Sequence, residues 1–246
     1  MVSLIVCTNR EYAMENVFAN YTRQEYPDKE MIIVLNSDRM NIESWKAEAE
    51  KHQNVTVFRQ PEQVTLGECY NFAIPRAKYA YVAKIDDDDY YSPYYLSEAV
   101  RGIAVSGADV IGKSTAFIYY ARQQLLTLFR EGVEFSYIQD EKEMFAKFLI
   151  GATLLFRKDL FPDLSFKPTN IGEDTEFLRM CVQKGLRTYS TSRYNYAYIR
   201  YSNSGHHTST LQEHKLLEKS RYIARTTHFH PVVTRMSEDI FVQDSE

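Results

Sequence analysis

The chain has 246 residues, 44% of them hydrophobic and 25% charged, which is enough to bury one substantial core. A formal net charge of −4 argues against nucleic acid as the main partner, because neutralising phosphates needs a basic face. Cys7, Cys69 and Cys181 lie far apart without a C-x-x-C pair, so neither a disulfide framework nor a thiolate metal site is indicated, and no run of eighteen apolar residues suits a membrane span.

Along the chain, strands and helices alternate at first. Residues 3–7 form an apolar run, and the N-terminus lacks the basic stretch of a signal peptide, so a cytoplasmic protein is expected. Helical character follows over 11–25, an apolar strand over 30–35, and a helix over 42–52 with Trp45 and Ala49 on one face. A strand at 54–58, a helix at 66–76 and a strand at 79–85 complete a βαβα order, which means a mostly parallel sheet with helices on its faces. In such folds ligands bind beyond the carboxyl ends of the strands. Residues 7–10, 36–38, 60–62 and the four aspartates Asp86 to Asp89 should therefore share one rim.

Past Pro93 the pattern changes. A helix over 96–106 stops at Gly107, a strand begins at 109, and residues 117–137 read as one or two antiparallel strands turning near Glu131-Gly132. A short helix at 140–148 and a strand at 149–156 come next. Residues 174–184 form a helix that Gly185 ends, 186–201 a Tyr-rich strand pair, and 209–227 a basic amphipathic helix. No repeat or linker divides the chain, so the expectation is one α/β domain over 1–205, with halves 1–110 and 111–205, and a C-terminal extension over 206–246.

Two acidic elements stand out. Asp86 to Asp89 close a half-buried strand, where like charges repel and a divalent cation with oxygen ligands is the usual remedy. Acidic runs in general are solvated loops, and this one taken alone divides evenly between the two readings. Glu173 and Asp174 follow Gly172 at a helix start, where favourable interaction with the helix dipole explains most such carboxylates. The two elements together favour catalysis over helix capping for the Glu-Asp pair.

The motifs V-S-L-I-V-C-T-N-R, Y-T-R-Q-E-Y-P-D-K-E-M-I-I-V-L, L-G-E-C-Y-N-F-A-I, K-Y-A-Y-V-A-K-I-D-D-D-D, G-A-T-L-L-F-R-K-D-L-F and G-E-D-T-E-F-L-R-M occur in one order over residues 2–201. In that order the chain resembles inverting family 2 glycosyltransferases of the GT-A fold. The resemblance implies a Rossmann-like, mostly parallel sheet, a small antiparallel acceptor-side sheet and a C-terminal helical extension. It also implies transfer of a sugar from a nucleotide-diphosphate sugar, UDP-sugars favoured, to a carbohydrate or lipid-linked glycan hydroxyl, as in bacterial surface, envelope or spore polysaccharide synthesis. Mn²⁺ or Mg²⁺ would offset charge on the leaving diphosphate.

By this resemblance Asp88 is the metal ligand, Asp86 faces ribose or sugar, Asp89 orients the loop, and Asp87 is the alternative if the motif shifts by one residue. Asp174 is the general base and Glu173 shapes its surroundings. Thr8, Arg10, Asn36, Asp38 and Asn71 are the expected nucleotide contacts, although Leu35-Asn36-Ser37-Asp38 departs from the family's acidic base-binding element and Tyr70 replaces its arginine. His207, in a Ser/Gly-rich stretch, is a candidate metal ligand. The helix over 209–227 would pack on the domain, join a homodimer or touch the inner face of a membrane. Two other readings fit parts of the pattern: a non-catalytic GT-A-like nucleotide or metal module, and a nucleotidyltransferase, against which stands the lack of any glycine before Gly67.

Overall fold

Strand β1, Val2–Thr8, is apolar on both sides, which suits the middle of a sheet covered on both faces. In the computed structural model, which describes residues 1–201 and 213–241, Val2, Leu4 and Val6 face one layer of helices and Ile5 and Cys7 face the other. β2 (Lys29–Leu35) and β3 (Val55–Arg59) lie on one side of β1 and β4 (Tyr81–Ile85) on the other, all parallel in the order β3-β2-β1-β4. The sheet continues through β10 (Leu155–Arg157), β6 (Val110–Gly112), β11 (Thr188–Ser190) and β9 (Ser136–Ile138). β10 and β9 run against their neighbours, so the expected mostly parallel sheet is present.

Helical spacing of apolar residues assigns each helix to a face. α1 (Met14–Arg23) buries Val17, Phe18 and Tyr21, α2 (Ile42–Ala49) buries Trp45 and Ala49, and α4 (Tyr95–Ser106) buries Leu96, Ala99 and Ile103, all against the Leu4 side. On the Ile5 side lie α3 (Leu66–Ala73), through Cys69, Tyr70 and Ala73, and α6 (Glu173–Gln183), through Phe177, Leu178 and Cys181. The ends of these helices are written locally. Thr65 and Glu68 form a reciprocal capping box on α3, and Gly107 closes α4 at φ 61°.

A second sheet has the order β13-β8-β7-β12-β5, made of Ser220–Arg225, Leu125–Phe129, Ala116–Tyr120, Tyr196–Arg200 and Tyr90–Tyr91. It is antiparallel except for the parallel pair β7 and β12. Several expectations need correction here. The β7–β8 hairpin turns at residues 121–124, with Gln124 at φ 50°, and not at Glu131-Gly132. Residues 186–201 do not form a strand pair, since β11 belongs to the first sheet and β12 to the second.

The apolar run 149–156 is a 3-10 turn, Gly151–Thr153, followed by β10, because the Ile150 amide bonds Lys113 O and the chain must bend beneath β4. The basic helix expected over 209–227 is limited, among the described residues, to α7 (Glu213–Glu218). Tyr222 and Ile223 instead sit in β13, where the open edge of β8 supplies backbone partners that outweigh helical propensity. Among the described residues, the continuous amphipathic helical face suggested for a membrane or a dimer is therefore not formed. Two further short helices, α8 (His230–Val233) and α9 (Ser237–Ile240), close the described chain, and α5 (Glu141–Ala146) packs near α6. No described helix is long and apolar enough to cross a membrane.

Candidate active site

The carboxyl ends of β1, β2 and β4 and the start of α6 meet around a cavity of about 660 Å³. Thr8, Arg10, Asn36, Asp86, Asp87, Asp88, Glu173 and Asp174 all line it. Asp38 is exposed and lies outside the lining, and His207 lies outside the described residues. Asn71 is also elsewhere. Its amide nitrogen donates to Phe166 O and its carbonyl accepts from Phe166 N, both at 2.8 Å, so both ends of the side chain are used in fastening α3 to the segment before α6.

The four adjacent aspartates point to different partners. Asp87 turns back toward β1, accepting from the Thr8 hydroxyl and from Arg10 Nη1 at 2.7 Å. Burial, with Asp88 adding to it, pushes its pKa up to about 6 against the pull of Arg10 and Thr8. Asp88 accepts from the same Arg10 nitrogen at 2.9 Å and faces the cavity. Asp89 is buried and accepts from Tyr196 Oη at 2.5 Å and the Ile199 amide at 3.0 Å, which ties the loop to β12. Burial and its acidic neighbours push its carboxyl well above the usual range. The loop backbone is held by Asn16, whose amide donates to Asp87 O and Asp89 O at 2.9 and 3.0 Å, and by Asn20, which donates to Asp89 O at 2.8 Å.

Asp86 accepts from Lys84 Nζ at 2.8 Å, and its own amide donates to Tyr91 Oη at 2.9 Å. Ligand atoms of Asp86, Asp88 and Asp89 lie within 4.8 Å of one another. Such a set of hard oxygen donors fits Mg²⁺ or Mn²⁺ and would be poor for a thiophilic ion. Asp86 and Asp88 face the cavity; Asp89 does not line it, because its oxygens serve Tyr196 and Ile199.

Across the cavity lining, α6 begins at Glu173 after Gly172, which takes a left-handed φ of 77°. Glu173 is buried, and its Oε1 lies 3.8 Å from Lys84 Nζ. Burial pushes its pKa up to about 7, opposed by Lys84 and reinforced by Asp174. Lys84 keeps its proton: burial disfavours the charge, but Asp86, Glu173 and Asp174 together raise the amine above its ordinary value. Asp174 Oδ1 accepts from the Thr175 amide at 2.6 Å. Its carboxylate occupies the space a side chain at Gly151 would need, with Oδ2 only 1.8 Å from where a Cβ would stand. Gly67 makes a similar close approach, 1.9 Å from an added Cβ to Lys167 O, which lets α3 press on the segment leading to α6.

Lys84, Gly151 and Tyr70, which all lie at or beside this pair, were not among the residues expected from the sequence. Lys84 carries a readable signal, a cation at an inward-facing position of an apolar strand. Gly151 carries none, because the close approach involves a residue far along the chain.

The family model described as Glycosyl transferase family 2 matches residues 3–165. The chain belongs to that family. The family 2 match takes in the whole aspartate loop but ends before α6, so Glu173 and Asp174 stand on geometry alone. No curated protein gives a significant match. Among solved structures, TarS residues 1–349 of S. aureus in complex with UDP-GlcNAc superposes with a TM-score of 0.67 at 17% identity, covering 88% of this chain and 63% of that one. TarS 1–349 in complex with UDP gives 0.64 at 18%, covering 81% and 60%. The mannosyltransferase PcManGT of Pyrobaculum calidifontis, in complex with GDP-Man and Mn²⁺, gives 0.61 at 16%, covering 82% and 57%. These likenesses show the GT-A fold, and the chain spans less than two thirds of each of these structures.

Proposed function

We propose that this family 2 chain transfers a sugar, with inversion and with Mn²⁺ or Mg²⁺, from a nucleotide-diphosphate sugar to a hydroxyl of a carbohydrate or lipid-linked glycan. The observation that carries the reading is that two carboxylates at the end of β4, Asp86 and Asp88, and the pair opening α6, Glu173 and Asp174, line one cavity. UDP-sugars are the first donors to test, since TarS is described with UDP and UDP-GlcNAc, although PcManGT is described with GDP-Man.

In this reading Asp88 and Asp86 would hold the cation, with Asp86 also reaching ribose or sugar. When bound, the cation supplies positive charge against the leaving diphosphate. Arg10 is fixed by Asp87 and Asp88 and brings a further positive charge to the same rim. Asn36 donates its amide to Pro61 O at 2.8 Å, which orients the side chain at the rim where the base would lie. Thr8 serves indirectly, by holding Asp87 through its hydroxyl. Asp174, positioned by Thr175 and seated at Gly151, takes the proton from the acceptor hydroxyl as that oxygen attacks. Direct displacement needs no covalent nucleophile, so positioning and charge supply most of the acceleration.

A screen of nucleotide sugars with Mn²⁺, reading donor hydrolysis and product anomeric configuration by NMR, tests the class. Asp174→Asn should lower turnover by about 1,000-fold while leaving metal-dependent UDP affinity within about threefold. Full turnover by that variant would remove Asp174 as the base.

A further inference from the structure

Packing alone does not account for Lys84. On β4 it shares a side with Val82, and that side meets the apolar layer built from Tyr70, Phe156 and Phe177. An apolar residue would fill the place without electrostatic cost, whereas a buried ammonium is tolerated only when paired. Lys84 is 3% exposed, its Nζ lies 2.8 Å from Asp86 Oδ1 and 3.8 Å from Glu173 Oε1, and the Tyr70 ring centroid is 5.0 Å away. Those two carboxylates come from the two sides of the proposed reaction, one leaving β4 and the other opening α6.

We infer that Lys84 is a positioning residue whose ammonium bridges Asp86 to Glu173 and so sets the relation between the donor-side carboxylates and Asp174; this rests on the glycosyl-transfer reading above. Asp174 follows Glu173 directly and is seated against Gly151, so a shift of Glu173 away from β4 turns the first residues of α6. Without the ammonium, the partly exposed Asp86 carboxylate and the buried Glu173 carboxylate face one another with no shared counter-charge, and repulsion drives them apart. With it, one fixed charge serves both and the Tyr70 ring closes the space beneath it.

The test compares Lys84→Met with Lys84→Met/Glu173→Gln, using the wild-type chain with Mn²⁺ and its best nucleotide sugar as reference. Lys84→Met should lower kcat about 100-fold, as expected when a reacting group is displaced by about 1 Å, with less than a tenfold loss in UDP affinity. The double variant, which removes both charges of the longer contact, should recover about tenfold of that loss. A lysine with only a structural role would lose activity in step with thermal stability and gain nothing from Glu173→Gln; that result, or a kcat for Lys84→Met within about threefold of wild type, overturns the inference. If Lys84→Met does not fold, Lys84→Gln carries the same comparison. A crystal structure of the folded variant separates this idea from the functional reading. Asp86 and Glu173 unmoved would overturn the bridge, whereas a wild-type chain that turns over no nucleotide sugar would overturn the function and leave the bridge to be judged from the variant's geometry.

Discussion

Burial gives Glu173 a pH dependence of its own. Its folded pKa of about 7 is well above the ordinary glutamate value, so between roughly pH 4 and pH 7 the folded chain keeps a proton that the unfolded chain has released. Stability contributed by this proton is complete below that window and falls as pH rises through it. Asp87, raised to about 6, acts with the same sign over a lower window. Glu173→Gln cannot ionise, so it should flatten the loss of thermal midpoint between pH 5 and pH 8, retaining on the order of 3 kcal/mol more at pH 8 than the ionised glutamate allows. Calorimetric scans across that range check it, and an unchanged slope would remove Glu173 as the titrating group. At this scale the aspartates and the Glu-Asp pair were legible, because charge at a strand end and a helix start is visible in a one-dimensional pattern. Resemblance assigns Asn71 to the nucleotide, whereas in the structure it lies outside the cavity lining and the backbone of Phe166 takes both ends of its amide.

Among the elements, α3 shows how the site is braced. Its first amides are satisfied partly from outside, with the Leu66 amide donating to Asn170 Oδ1 at 2.8 Å and the Gly67 amide to Thr169 O at 3.2 Å. Asn71 adds its two bonds to Phe166, so the segment before α6 is fastened to α3 along its length. Asn71→Ala should cost about 2 kcal/mol, since it leaves a partly buried amide and carbonyl without partners, and turnover should fall while UDP binding holds. Chemical denaturation with parallel kinetics checks both parts; a loss of UDP affinity larger than the loss of turnover would return Asn71 to the nucleotide. Most helices and the parallel strands were readable from their 3.6- and 2-residue periods. The stretch 220–225 was not, since its apolar spacing suits a helix until the free edge of β8 is present to pair with it.

For the molecule as a whole, ligand binding should read out as stability. A nucleoside diphosphate that binds the folded chain through a cation adds about 2.7 kcal/mol at one hundred times its dissociation constant. UDP with Mn²⁺ should therefore raise the thermal midpoint, UDP with EDTA should not, and Asp88→Ala should remove the metal-dependent part. An equal shift with EDTA would show that the nucleotide is held without the carboxylates. Calorimetry on the wild type and the variant supplies the comparison.

The sequence by itself determined the βαβα order, the mostly parallel sheet and the rim on which the acidic residues collect, because strand and helix periodicity and glycine stops are local properties of the chain. The tertiary structure alone decided which way each of four neighbouring aspartates faces. Asp87 is set by Thr8, 79 residues away, and Asp89 by Tyr196, 107 residues away, so identical side chains in adjacent positions acquire different partners only when distant strands close around them. It likewise decided that one buried lysine stands between Asp86 and Glu173, since charges so far apart in the chain share a counter-ion only after α6 has packed against β4.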